Sequence, residues 1–308
     1  MKRRILLIAN PAAGAKRMAR ERARLLEALD KRGLKADFLL TDRPGHALGL
    51  AREASGRYEI IAAVGGDGTV NEVASGILLA GAPKPALAII PLGTGNDAAH
   101  LLGIRSLEGA VEALASATTR TVDVIEIRCH DAGKELLRYA LLYAAVGFAG
   151  ALLKGTTPTV KRLFGPRYCY SVGFFRALIG FKSPQMRVRC DDRVFEGRMF
   201  LVSAGNAEIV GAGTMRLSPG ARVDDGKLNV NVIEELGRCE TAWCFPKVLK
   251  GLHTSHPKAR YFDATSVTVE CEPQMEVQMD GELFGQTPAT FQVRPGGIRV
   301  IARDHQVG

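Results

Sequence analysis

Read for hydrophobic and polar positions, the first 128 residues alternate short apolar runs with longer stretches of helical spacing. The runs at Arg4–Ala9, Ala36–Leu40, Glu59–Val64, Leu87–Ile90 and Thr121–Ile127 have the length and content of strands. Between them, Lys16–Arg32, His46–Ser55, Val70–Leu79 and Leu107–Ala115 carry helical patterns. This alternation predicts an α/β domain, a parallel sheet covered by helices on both faces. Ligands of such a sheet bind beyond the carboxyl ends of its strands.

After about residue 128 the pattern changes. A mostly helical region near Gly147–Gly180 precedes short alternating runs at Gln185–Cys190, Phe200–Ala204, Lys227–Ile233, Ser266–Cys271, Met275–Met279 and Thr290–Arg294. Asp225-Gly226, Asp280-Gly281 and Pro295-Gly296-Gly297 read as turns among them, and a helix around Cys239–Leu249 interrupts the series. The expectation is a nucleotide-binding α/β domain over 1–128 and a mainly antiparallel β-sandwich or barrel with helices over 129–296. The last residues, about 297–308, are expected to pack back on the first domain.

Composition narrows the class. Hydrophobic residues make up 46% and charged residues 24% of the 308, near the averages for globular chains, which excludes general disorder, collagen and coiled coil. The longest run without strongly polar residues, Tyr139–Leu153, has 15 residues and contains Gly147 and Gly150, short of the roughly 20 that span a bilayer. The start has a basic head but too few apolar residues before Asn10-Pro11 for a secretory leader, so it reads as a strand. The six cysteines follow no zinc or disulfide spacing, which fits reduced thiols in a cytoplasm.

Charge adds a direction. The formal charge of +9 favours an anionic partner. From Leu136 to Cys190 there is no Asp or Glu, yet there are nine bases, among them Lys154, Lys161, Arg162, Arg167, Arg176 and Lys182. Phe148, Phe164, Tyr168, Tyr170, Phe174, Phe175 and Phe181 lie in the same stretch. Bases interleaved with aromatics suit a membrane interface; the alternative is a solvated basic helix whose aromatics face the core. No zinc finger, RRM or other nucleic-acid module is present, and no nucleic-acid partner is expected.

The candidate chemistry sits in loops. Val64-Gly65-Gly66-Asp67-Gly68-Thr69-Val70-Asn71-Glu72 follows an apolar run and opens a helix. Its glycines leave room for backbone to wrap a phosphate, and the helix N-terminus supplies aligned N–H groups. Asp67 in such a loop suits a divalent cation lying between carboxylate and phosphate, although a tight turn with a capping residue is the plainer alternative. A second loop of the same kind, Pro91-Leu92-Gly93-Thr94-Gly95-Asn96-Asp97, follows the next strand, and a third, Asn10-Pro11-Ala12-Ala13-Gly14, closes the first. Together they point to a nucleotide triphosphate site, without a Walker A loop or the GxGxxG fingerprint.

These two loops resemble the signatures of the diacylglycerol kinase catalytic-domain family, which includes diacylglycerol, sphingosine and ceramide kinases and small soluble bacterial lipid kinases. The resemblance runs from Asn10-Pro11 to Asp280-Gly281-Glu282. It implies a first domain similar to NAD kinase and phosphofructokinase. It also implies an ATP-dependent kinase acting on a lipid hydroxyl, most simply that of diacylglycerol, with magnesium. By resemblance, Asn10, Thr41, Gly65, Gly66, Asp67, Gly68, Thr69, Asn71, Glu72, Gly93, Thr94 and Asn96 hold ATP. Asp67 and Asp97 hold the catalytic cation, and Glu282 is the general base. Asp123 matches a family acidic position, and Asp225, with the carbonyls of Arg222 and Lys227, matches a structural magnesium site. Without the family, Asp280-Gly281-Glu282 is a plain hairpin turn and Asp225-Gly226 a turn between strands.

A lipid acceptor accounts for the acid-free aromatic stretch, and Gly150–Phe181 is expected to dock at the inner face of the membrane from the cytoplasm. A homodimer through a strand edge is compatible with the pattern. Two other readings are a soluble-substrate kinase of the NAD kinase type and a non-catalytic lipid-binding protein on the same fold. Against the first stand the second loop and the basic aromatic region, and against the second the presence of every expected acidic residue.

Overall fold

Where the chain reads as continuous apolar residues, both faces of a strand are covered. In the computed structural model, which describes residues 3–12, 18–81 and 84–303 with the side chains of 18, 19, 158, 161, 162, 164, 166, 167 and 170 excepted, two units form. The first is Met1–Val122 with Gly296–Gly308 and the second Asp123–Pro295. The first contains β1 (Ile5–Ala9), α1 (Met18–Lys31), β2 (Ala36–Leu40), α2 (His46–Ala54), β3 (Ile60–Gly65), α3 (Asp67–Leu79), β4 (Ala86–Pro91), α4 (Asp97–Leu101) and α5 (Leu107–Ser116). β1 pairs in parallel with β2 and β3, and β3 with β4. Every residue of β1 and β3 is buried, the condition that removes polar alternation from a strand. α2 and α3 approach so closely that a Cβ on Gly76 would lie 2.4 Å from the Leu48 carbonyl oxygen, which requires glycine there. Ala13, Gly14, Lys16 and Arg17, expected in the third loop and first helix, lie outside the described residues.

The second unit begins within β5 (Thr119–Asp131) and continues through β6 (Lys134–Ala140), β7 (Tyr143–Gly147), α6 (Phe148–Gly155), α7 (Pro158–Gly180), β8 (Gln185–Cys190), β9 (Arg193–Gly205) and β10 (Leu228–Glu234). α8 (Arg238–Leu249), β11 (Ala259–Ala264), β12 (Ser266–Glu272), β13 (Glu276–Met279) and β14 (Glu282–Ile301) follow, with a 3-10 turn at Leu252–Ser255. Pairing closes on itself through β9, β7, β13, β14, β12 and β8, while β10 and β11 extend the ladder from β9. β14 is the longest strand, and its Val300 pairs in parallel with Leu87 of β4. Val277, Val146, Val202 and Val232 lie in register across four strands and join Phe291, Val267 and Val188 in the core.

The expected helical region near Gly147–Gly180 is present as two helices, α7 itself being broken at Gly165, where φ is 68° and ψ 174°. Two other expectations are corrected. Pro295-Gly296-Gly297 is no turn: β14 runs through it, because the left-handed φ of 58° at Gly296 kinks the strand without reversing it. β6, β7 and β11 form where no strand was expected, each completed by a neighbour distant in sequence or by a hairpin.

One half-buried ion pair fastens β5 to β14. Glu126, 5% exposed, accepts from Arg294 at 2.8 and 2.9 Å and from Arg128 at 3.0 Å. The Arg294 guanidinium first, and Arg128 after it, hold the Glu126 carboxyl below its ordinary range against the opposing effect of burial. A depressed folded-state pKa contributes stability that is complete above the unfolded carboxyl range and is lost as pH falls through the folded value. Glu126→Gln is therefore expected to cost about 2 kcal/mol at pH 7, since Arg294 is half exposed, with the deficit shrinking toward pH 3. Urea unfolding of both proteins across that range checks it.

Candidate functional site

The two glycine-bearing loops of the first unit follow β3 and β4, whose register sets Gly65 beside Pro91. Leu92 and Gly93 N–H groups donate to the Gly65 carbonyl at 2.9 and 3.2 Å. A Cβ on Gly93 would stand 2.4 Å from the Gly66 Cα, so this approach of the two backbones requires glycine at 93, while a Cβ on Gly66 would meet the Gly93 Cα at a tight 3.2 Å. Asn96, in the left-handed region at φ 57°, closes the second loop by accepting from Gly93 N–H at 3.0 Å and donating to its carbonyl at 2.9 Å. Asp67 opens α3 and its Oδ1 accepts from Ala98 N–H at 3.1 Å. Asp67 is thereby brought to the first turn of α4, which Asp97 begins.

The remaining first-unit residues surround these loops in the chain. Asn10 donates its N–H to Val64 and caps its own turn through Oδ1 and Ala12 N–H at 2.9 Å. Thr41, buried, is tied to Ala9. Thr69 folds over Gly65, where a Cβ would meet its Oγ1 at 2.5 Å. Glu72 accepts from Gly45 N–H at 2.7 Å and Ala47 N–H at 3.0 Å, fixing the start of α2 against α3. The sequence assigned Glu72 to nucleotide only; its clamp joins segments 25 and 27 residues apart and has no local signature.

In the second unit, Asp280-Gly281 forms the two-residue turn between β13 and β14, with Met279 opposite Glu282. Both turn residues have positive φ, 45° and 87°, as this tight hairpin demands. Asp280 is more than a turn residue. It is buried, and its carboxylate accepts from the N–H groups of Leu141 at 2.8 Å and of Leu142 and Tyr143, both at 3.0 Å. The turn that presents the exposed Glu282 is thus pinned to the chain entering β7. Asp225 lies on an exposed loop, where its Oδ1 accepts from Lys227 N–H at 3.1 Å. The neighbouring Gly226 N–H donates to the buried Asp123 at 2.7 Å, so Asp123 braces this loop. Among the described residues no three His, Cys, Asp or Glu side chains gather as a metal centre, so a cation at Asp225 would depend on backbone carbonyls such as those of Arg222 and Lys227.

The second unit also encloses an apolar cavity of ≈ 100 Å³ between the sheet and α6, α7 and α8, lined by Phe148, Leu152, Phe174, Leu201, Ile233 and Phe245. Beside it, Tyr168, Phe175 and Ile179 project from α7, and Trp243 from α8, all more than half exposed. Lys247 stands 3.3 Å over the Trp243 ring, and Arg176, Lys182 and Lys250 are exposed nearby in sequence. The acid-free stretch therefore divides: Phe148 and Phe174 face the core with Phe181 packed against them, whereas Tyr168 and Phe175 face outward. The side chains of Lys161, Arg162, Phe164, Arg167 and Tyr170 lie outside those described. α8 was missed as part of this surface, although its single Trp with Lys four residues on was a readable signal. Among the described residues no helix is long and apolar enough to cross a membrane.

Comparison with known proteins gives this arrangement its class. Residues 4–127 match the diacylglycerol kinase catalytic domain, and residues 150–302 the YegS C-terminal NAD kinase beta sandwich-like domain. The diacylglycerol kinase of Staphylococcus epidermidis is 32% identical over 294 residues, covering 94% of this chain and 89% of its own. That of Staphylococcus haemolyticus is 33% identical over 288 residues, 92% and 84% of the two chains. In fold, a putative diacylglycerol kinase from Bacillus anthracis superposes with a TM-score of 0.80 at 24% identity over 99% of each chain. Yeast NADH kinase complexed with NADH gives 0.51 at 10% identity over 98% of this chain and 83% of its own. The fold is thus one shared by lipid and dinucleotide kinases. The chain belongs to the diacylglycerol kinase family and is a transferase of that kind.

Proposed function

We propose that this protein transfers the γ-phosphate of ATP to the hydroxyl of a membrane lipid, the acceptor being of the kind for which its relatives are named, diacylglycerol. The observation that carries the reading is the contact of Gly66 with Gly93, bridged by Asp67 and Ala98 N–H. Two glycine-bearing loops whose backbones touch, each leading into a helix, offer a cradle of backbone N–H groups to a phosphate. We assign the nucleotide contacts to Gly65, Gly66, Gly68, Thr69, Asn71, Gly93, Thr94 and Asn96, with Asn10 and Thr41 as further contacts, and Glu72 steadies the segment after Thr41. Asp67 and Asp97 would hold magnesium, which would supply charge compensation at the triphosphate. Glu282 takes the proton from the lipid hydroxyl as its oxygen bonds to the γ-phosphorus and the bond to the β-phosphate oxygen breaks. Asp225 with the Arg222 and Lys227 carbonyls offers oxygen-only ligation to a second, structural cation.

The apolar cavity accepts an acyl chain, and the exposed face of α7 and α8 rests on the inner leaflet, its lysines and arginines toward anionic headgroups. The protein thus works from the cytoplasm. The test is incubation with γ-labelled ATP and either vesicles containing dioleoylglycerol or NAD in solution. Label is expected in the lipid phase, with co-sedimentation stronger on anionic than neutral vesicles. Label on NAD alone would overturn the lipid reading, and equal, negligible sedimentation on both vesicle types the docking face.

Gly93→Ala probes the cradle itself. Its Cβ meets Gly66 backbone at 2.4 Å, which no side-chain rotation relieves. ATP affinity is expected to fall at least about tenfold, and stability by about 1–3 kcal/mol from the forced backbone shift. Titration calorimetry and thermal unfolding measure the two effects separately.

A further inference from the structure

The cavity of the second unit is apolar over most of its wall, with Gln278 and His253 among its few polar groups. Gln278 of β13 stands opposite Ala145 of β7, Ala145 opposite Ser203 of β9, and Ser203 opposite Asn231 of β10. Residues in one register row share a face, here the face opposite the valine row of the core. Two residues along, the same face carries Gly147, Leu201 and Ile233, all apolar.

Two of the side chains that line the cavity are incompletely satisfied, and Asn231 Oδ1 in the same register row is a further buried acceptor without a partner among the described residues. Gln278, 3% exposed, donates through Nε2 to the Tyr143 hydroxyl, and its Oε1 is buried without a partner among the described residues. His253, also 3% exposed, sets Nε2 3.2 Å from the Leu217 carbonyl, a contact that requires the proton on Nε2. Burial pushes the His253 pKa down and keeps the ring neutral. Nδ1 is then an acceptor, and it too is buried without a partner among the described residues. Both side chains line the cavity. A hydrocarbon chain cannot satisfy either atom, and an ester carbonyl is itself an acceptor; only a donor can.

We propose that the lipid this cavity selects carries a second hydrogen-bond donor, a hydroxyl or N–H beside the hydroxyl that receives phosphate, and that Gln278 and His253 recognise it. The inference rests on the lipid-kinase reading above. Diacylglycerol has one hydroxyl, which is spent on phosphoryl transfer, so it is accepted but not preferred. A monoacylglycerol or an amide-bearing lipid alcohol has a donor to spare.

A matched pair of acceptors isolates that donor: 1-oleoylglycerol and 1-oleoyl-2-O-methylglycerol, presented in the same mixed micelles, with dioleoylglycerol as a third acceptor. The wild-type kcat/KM ratio is expected to favour the free hydroxyl by about tenfold or more, carried mainly by KM. Gln278→Met should bring the ratio close to one. So should His253→Gln, which retains a donor for the Leu217 carbonyl while removing Nδ1. A wild-type ratio within twofold overturns the inference and leaves the lipid-kinase reading standing if dioleoylglycerol is phosphorylated. Phosphorylation of none of the three overturns both. Should a variant fail to fold, the wild-type ratio alone decides.

Discussion

Replacing Glu282 with Gln is expected to slow phosphoryl transfer to a lipid acceptor by about 10³-fold, within the range lost with a general base. ATP affinity should change by less than about twofold, because the residues of the cradle belong to the first unit and Glu282 to the second. The substitution keeps the size and hydrogen-bonding length of the side chain at an exposed position, so little stability is at stake. Single-turnover transfer from labelled ATP, beside nucleotide titration, measures both quantities. An unchanged rate removes Glu282 from the chemistry, whereas loss of ATP binding shows that the effect spread beyond proton transfer.

Asp280→Ala should destabilise the second unit by about 4 kcal/mol. Three backbone N–H groups, of Leu141, Leu142 and Tyr143, lose their acceptor in a buried place. Each orphaned donor costs about 1–3 kcal/mol, and their relaxation together reduces the sum. The residue also adopts φ 45°, which Asp tolerates better than Ala. Asp280→Asn separates the two contributions, since it keeps the turn and one acceptor oxygen but loses the charge and one oxygen. Urea denaturation is expected to rank wild type, Asn and Ala in that order. Transfer activity should fall in both variants, because the turn that carries Glu282 is no longer pinned.

What could be read in advance follows from how local each feature is. Ile5–Ala9 and Ile60–Gly65 announce themselves because burial on both faces leaves nothing polar in them. Gly65 to Thr69 and Gly93 to Asp97 are legible because glycine, carboxylate and hydroxyl crowd into a few positions after a strand. Asp280-Gly281 is legible as a turn for the same reason, and Asp280's anchoring of Leu141–Tyr143 is not, since 137 to 139 residues separate the partners. Tyr143–Gly147 sits inside the longest apolar run, where a strand between two partners and the start of a helix look alike. Ala259–Ala264 is an outer strand completed only by β10, and its mixture of Arg, Tyr, Phe and Asp carries little period of its own. The cavity is hardest of all, because its walls come from three helices and five strands with no motif in common.

The second half of β9 carries a consequence for how such an enzyme changes over time. Leu201 lines the cavity, while Val202 and Ala204 beyond it belong to the hydrophobic core. Cavity and core thus share a partition one residue thick. On the proposed reading, in which the cavity takes a lipid tail, drift among interior valines retunes the length or branching of the tail admitted from behind the wall.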